Sequence, residues 1–118
     1  HLIGHLNVKQ NIDLINNKID SKKVENLILG LGLTQKSEQM VSELSVGEAQ
    51  RVAIARGLAN SPRVIFADEP TSSLDDCNTQ KVMELILDQT KQMKSTLIVS
   101  THDKRIKKYF SKITEMSL

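Results

Sequence analysis

The stretch "VIFADEP" closes a run of apolar residues with two adjacent carboxylates, Asp68 and Glu69. Successive residues at the end of an extended segment point in different directions, so the two acids can divide labour. Asp68 suits a hard Mg2+ ion, held directly or through water. Glu69 suits a general base, or a group that orients a water for attack on phosphorus. Capping of the next turn is the alternative for both. A second apolar run, "TLIVS", ends in the same way in Thr101, His102 and Asp103. If the two runs are strands of one parallel sheet, His102 lies beside the acids at the carboxyl edge, where open sheets of this kind bind ligands. A lone histidine also serves as a structural residue.

A third group precedes these. In "LSVGEAQR", Ser45 and Glu48 have the S-x-x-E spacing of a capping box, which explains both without a ligand. The same helix start, with its hydroxyl and Gly47, is an anion site, because the first N–H groups and the helix dipole point outward. Local spacing leaves both readings open.

The elements that must position these residues alternate. A helix is expected from about Gly47 to Ala59, stopping before "NSP", where Pro62 punctuates. "RVIFAD" and "TLIVST" have the continuous apolar texture of strands buried on both faces. Between them a helix from Asp76 to Met93 puts Val82, Leu85, Ile86 and Met93 on one side. "DKRIKKYF" reads as a short amphipathic helix and "KITEMSL" as a last strand. The order predicts an α/β fold of three layers with parallel strands over residues 44–118. Residues 1–43 read as a small helical subdomain. Val8, Ile12 and Ile15 share one helix face behind the capping pair Asn7 and Gln10, and Val24, Leu27, Ile28 and Leu31 form a stripe ended by Gly32. A third short helix is expected from about Thr34 to Ser42.

Composition narrows the class. A chain of 118 residues is one domain or part of one. With 39% hydrophobic and 25% charged residues it has the balance of a folded protein rather than a disordered one. The net charge of +2, with Lys and Arg dispersed, argues for no nucleic-acid partner. The run Lys104, Arg105, Lys107, Lys108 reads as a solvated helix face. A single cysteine, Cys77, cannot form an internal disulfide and fits a reducing compartment. No apolar run approaches the roughly 18 residues of a membrane span, and no signal peptide is evident. The chain is therefore not expected to cross a membrane itself.

"LSVGEAQRVAIARGLANSPRVIFADEPTSSLD" followed by "STHD" resembles the ABC-type ATPases, in particular the nucleotide-binding subunits of ABC transporters. "LSVGEAQR" resembles their signature motif, "VIFADE" their Walker B strand, "SSLD" their D-loop and "THD" their switch-histidine loop. The likeness covers Ser42 to His102, and more loosely the helices from "HLNVKQNI" onward. It implies a partial P-loop NTPase (RecA-like) fold. It implies cofactor-binding roles toward ATP for Ser45, Val46, Gly47, Glu48 and Asp75. The helix start would meet the γ-phosphate held by an opposing subunit, and Asp75 would lie in the loop linking the two sites. It further implies that Asp68 helps hold Mg2+, that Glu69 acts on the attacking water, and that His102 contacts the γ-phosphate. Two ATPs would lie between head-to-tail ATPase subunits, peripheral to the cytoplasmic face of the cell membrane, and closure would drive integral membrane transporter subunits. "FADEPTSSLD" with Asn78 is most similar to the branch serving lipoprotein release and macrolide or peptide export.

The sequence departs from the family pattern in two ways. Val46 stands where a second glycine is common, and Glu48 where glutamine is. More consequentially, there is no G-x-x-x-x-G-K-[ST] loop to cradle phosphates, and Gly4, Gly30 and Gly32 lack the lysine and hydroxyl such a loop needs. The Q-loop glutamine is missing too. The expectation is thus a C-terminal portion of the ATPase, inactive alone, with exposed sheet edges that favour self-association. Two other readings stay open. One is a soluble ABC-type ATPase of translation or chromosome maintenance, the latter disfavoured because residues 8–32 carry no sustained heptads. The other is a non-enzymatic pseudo-ATPase module that lends its signature face to a partner.

Overall fold

The computed structural model describes residues 2–14 and 21–116. Helix α1 spans Val8–Asp13 and opens with the expected capping box, Asn7 Oδ1 accepting from Gln10 N at 2.7 Å and Gln10 Oε1 from Asn7 N at 2.9 Å. Its face is set by Val8 and Ile12, both fully buried; Ile15 lies outside the described residues. Helix α2, Ser21–Gly30, buries Val24, Leu27 and Ile28. It ends in a left-handed turn at Gly32 (φ +70), with Gly32 N bonded to Leu29 O and Leu33 N to Ile28 O, the bonding of a Schellman motif.

The helix expected from Thr34 to Ser42 is replaced by two 3-10 turns, Thr34–Lys36 and Val41–Glu43. Tertiary pairing overrides helix propensity here. Gln39 O and Ser37 O accept from Val8 N and Lys9 N at the start of α1, and Met40 bridges antiparallel to Asn7. Buried Asn11 ties the preceding segment down, accepting from Ile3 N at 2.8 Å and donating to the carbonyls of Ile3, Leu6 and Asn7.

Helix α3, Val46–Ala59, leads into strand β1, Val64–Asp68. Helix α4, Asp76–Met93, connects it to strand β2, Thr96–Ser100. The strands pair in parallel, Val64 opposite Thr96 through to Asp68 opposite Ser100. Ile12, Leu27, Leu33, Leu58, Met83 and Ile106 are among the large fully buried side chains of one continuous core, against which Ile65, Leu97 and Val99 pack from the sheet. The strands are not buried on both faces: Val64, Phe66 and Ile98 are 46, 77 and 46% exposed. The α/β order and parallel pairing are as expected, but helices cover one face of the sheet among the described residues.

Two further expectations are corrected beyond β2. Lys104–Tyr109 is a 3-10 segment, too short to gain from α-helical propagation. Residues 112–116 pair with no strand among the described residues, and Met116 is 89% exposed. The basic run is not simply solvated either. Arg105 is held in an ion-pair network, Lys107 Nζ meets Glu115 Oε1 at 2.9 Å, and Lys108 lies over the Tyr109 ring.

Candidate functional site

Parallel pairing delivers the two strand ends to one place. Glu69 N extends the ladder by donating to Ser100 O at 2.7 Å, so the residues just past β1 and β2 are neighbours. The Glu69 backbone then turns into the left-handed region (φ +48), uncommon for a residue with a long side chain. That turn brings its carboxylate onto the β2 exit. Oε2 accepts from Thr101 Oγ1 at 2.8 Å, and Oε1 accepts from His102 N at 2.9 Å and lies 2.8 Å from His102 Nδ1. Bonding to His102, then to Thr101, holds the Glu69 carboxyl below its ordinary range, so it is ionised at neutral pH. A carboxylate can only accept, so the Nδ1 contact is made by a ring protonated at that nitrogen. The ring itself is solvent-exposed.

Asp68, the last residue of β1, is exposed and pairs in register with Ser100. Among the described residues there is no group of three or more His, Cys, Asp or Glu that could hold a metal ion. Asp68 thus offers a single carboxylate. Mg2+ in nucleotide sites binds through one or two carboxylates, with water and phosphate oxygens completing the shell, so this residue fits it.

The start of α3 closes on itself. Ser45 Oγ accepts from Glu48 N at 3.2 Å and Glu48 Oε1 from Ser45 N at 3.0 Å. The Ser45 backbone N–H first, and the Ser45 side chain after it, hold the Glu48 carboxyl below its usual range, and Lys36 adds an ion pair at 3.6 Å. The capping box leaves the first-turn amides of Val46 and Gly47 without intrahelical partners. Val46 projects into solvent, 76% exposed. Among the described residues no hydrogen bond joins this group to Glu69 or His102. Asp75 is the N-cap of α4, its Oδ1 accepting from Asn78 N at 2.7 Å.

Three contributors were not assigned roles from sequence: Thr101, Gln50 and the Asp103–Arg105 pair. Asp103 accepts from Thr71 Oγ1 at 2.7 Å, and from Arg105 Nε at 2.9 Å and Nη2 at 2.7 Å. Arg105 also donates to Leu74 O, Thr71 O and Asp76 Oδ1. One guanidinium thereby stitches the 69–76 turn to the loop after β2. Arg105 first, and Thr71 after it, hold the Asp103 carboxyl well below the usual carboxylate range. Proximity of Asp103 to His102 was the available signal, but nothing in the spacing pairs it with Thr71.

Residues 1–72 match the family described as ABC transporter. The chain is 38% identical over 122 residues to the provisionally named hemin import ATP-binding protein HrtA of Staphylococcus saprophyticus, covering 98% of this chain and 55% of that protein. The chain thus spans about half the length of the curated relatives it matches. Its fold superposes on the dimeric structure of MJ0796, a bacterial ABC transporter cassette, with a TM-score of 0.81 and 30% identity, over 92% of this chain and 51% of that one. It also superposes on cbiO1 of Clostridium perfringens, described as part of the ABC transporter complex cbiONQ, with a TM-score of 0.68 and 31% identity, over 87% and 43% of the two chains.

Proposed function

The chain belongs to the ABC transporter family, and from that premise we propose that it is the signature and Walker B part of an ATP-binding subunit whose full-length form hydrolyses ATP to drive transport. The observation that carries this reading is the Glu69 carboxylate, held ionised by Thr101 and His102 at the carboxyl ends of two adjacent parallel strands.

In this reading Glu69 orients the attacking water and takes up its proton as the bond to phosphorus forms. Its three protein bonds fix the carboxylate before substrate arrives, and its remaining lone pairs are open to a water. His102 uses Nδ1 toward Glu69 and so presents Nε2 to a γ-phosphate oxygen; donating from both nitrogens at once requires the protonated ring. Asp68 would hold Mg2+, which would supply charge neutralisation at the nucleotide phosphates. Ser45, Val46 and Gly47 offer a hydroxyl and two amides to the γ-phosphate of a nucleotide held by a second subunit. Exposure of Ser45 and Val46 and the dimeric form of a solved relative support that head-to-tail arrangement. Glu48 supports the helix start, and Asp75, the N-cap of α4, belongs in this reading to the loop that links the two sites across the dimer.

The described residues contain no helix long and apolar enough to cross a membrane. In this reading the ATPase works at the cytoplasmic face against a membrane-spanning transporter subunit. The relative described as part of a transporter complex supports such a partner, and similarity to HrtA supports hemin as the cargo class. The test is phosphate release by the full-length polypeptide. Glu69→Gln should lower it by at least ~100-fold while ATP binding persists; undiminished hydrolysis would refute the assignment.

A further inference from the structure

Helix α3 touches the turn after β1 at two points one helical turn apart. Gln50 Nε2 donates to Glu69 O at 2.6 Å. At Gly47 the approach is so close that an added Cβ would stand 3.2 Å from Ser73 O. The helix that carries the signature face therefore lies directly against the turn that carries the Glu69 carboxylate.

The Glu69 peptide needs such support. Its φ of +48 is a conformation that residues with side chains rarely adopt, and Pro70 immediately follows, which steers the preceding residue toward extended geometry. Two pins oppose those preferences. On the amide side Glu69 N is bonded to Ser100 O at 2.7 Å. On the carbonyl side Glu69 O accepts from Gln50 at 2.6 Å, and more distantly from Ser72 Oγ at 3.2 Å and Ser72 N at 3.4 Å. The Ser72 contacts come from the same turn and move with it, whereas Gln50 belongs to another element. Gln50 also gives something up to be there: its own amide oxygen is buried with no hydrogen-bond partner among the described residues. A buried amide oxygen left unpaired costs stability.

We propose that Gln50 is a positioning residue for Glu69, passing movements of α3 to the peptide that aims the Glu69 carboxylate. This rests on the function proposed above. The α3 N-terminus there engages a nucleotide on a second subunit, while Glu69 acts on the nucleotide of its own. Gln50 makes these two events one mechanical unit: when α3 docks across the interface, it sets the Glu69 backbone of the same subunit. Without the bond, the carboxylate keeps its chemistry but loses its aim.

The experiment uses the full-length polypeptide with three variants, following steady-state ATP turnover and thermal unfolding together. Gln50→Met is nearly isosteric and lacks the donor. It should lower kcat about 10- to 100-fold with KM for MgATP unchanged, the cost of a small misplacement of a reacting group. Gln50→Lys, whose ammonium can reach the same carbonyl, should recover part of that loss. A Gln50→Met protein that turns over at the wild-type rate, whatever its Tm, overturns the proposal. So does equal loss in the Met and Lys variants. Glu69→Gln runs alongside, and wild-type turnover in that variant would instead bring down the functional reading on which this one depends.

Discussion

Asp103→Asn isolates the clamp that ties the loop after β2 to the 69–76 turn. Both Asp103 oxygens are used: Oδ1 accepts from Arg105 N at 3.0 Å and Arg105 Nε at 2.9 Å, and Oδ2 from Arg105 Nη2 and Thr71 Oγ1, each at 2.7 Å. Asparagine keeps the shape but turns one acceptor into a donor. The Thr71 hydroxyl can rotate to accept from it, whereas the guanidinium can only donate. At least one charge-assisted bond is lost, and a donor is left facing a donor. A bond to a charged group contributes about 1.5–3 kcal/mol. Because the Arg105 side chain is 36% exposed and gains water when released, screening and solvation reduce that to about 1–2 kcal/mol. In a full-length polypeptide of about 150–250 residues this lowers Tm by ~2–8 °C.

The pH dependence carries the sharper test. The folded-state pKa of Asp103 is depressed, so its contribution is fully present above the unfolded value of about 3.9 and fades as pH falls through that value toward the folded one. Scanning fluorimetry of the full-length protein should show a gap in Tm between wild type and variant that is constant from pH 8 to pH 6 and smaller at pH 3. An equal gap at pH 3 and pH 7, or none at pH 7, would show that the carboxylate is not clamped as the geometry indicates. Since Arg105 also holds Leu74 O, the residue before Asp75, turnover should fall along with stability.

Ser45→Ala removes the N-cap of α3 and should cost about 1 kcal/mol in chemical denaturation, because Glu48 N loses its acceptor; a change below a few tenths would mean the box does not form. Asn11→Leu leaves Ile3 N without its acceptor, while the carbonyls of Ile3, Leu6 and Asn7 lose a second donor but keep Leu6 N, Val41 N and the residue-11 amide, and it should destabilise by about 1–3 kcal/mol. Turnover per folded molecule should be unchanged in that variant, since Asn11 touches none of the candidate site; a fall in kcat would argue otherwise.

What the sequence shows clearly is what depends on near neighbours. Both capping boxes, the glycine stop after α2 and the limits of α4 are written in residues three or four apart, and each is found where spacing puts it. The strand ends are legible for the same reason, since an apolar run closed by acids marks its own boundary. Less legible are elements whose fate is set at a distance. Residues 37–40 serve the amides of α1 instead of forming a helix, a pairing across some thirty residues that no local pattern encodes. The apolar texture of "VIFA" promises burial on both faces, but apolar residues announce only that a cover is wanted, and one face has none among the described residues. Gln50 and Arg105 are the clearest misses. Each looks like an ordinary polar residue on a helix or basic run, and each gains its meaning from a backbone carbonyl about twenty or thirty positions away.

In the function proposed above, one nucleotide site is completed by Glu69 and His102 of one subunit and the α3 start of another. Sedimentation of full-length Glu69→Gln with and without MgATP tests it most directly, because blocked turnover traps the closed state. A monomer is expected without nucleotide and a dimer holding one ATP per subunit with it, and Ser45→Arg added to the same chain should return it to monomer. A Glu69→Gln protein that binds ATP yet stays monomeric, or a dimer indifferent to Ser45→Arg, would contradict the claim.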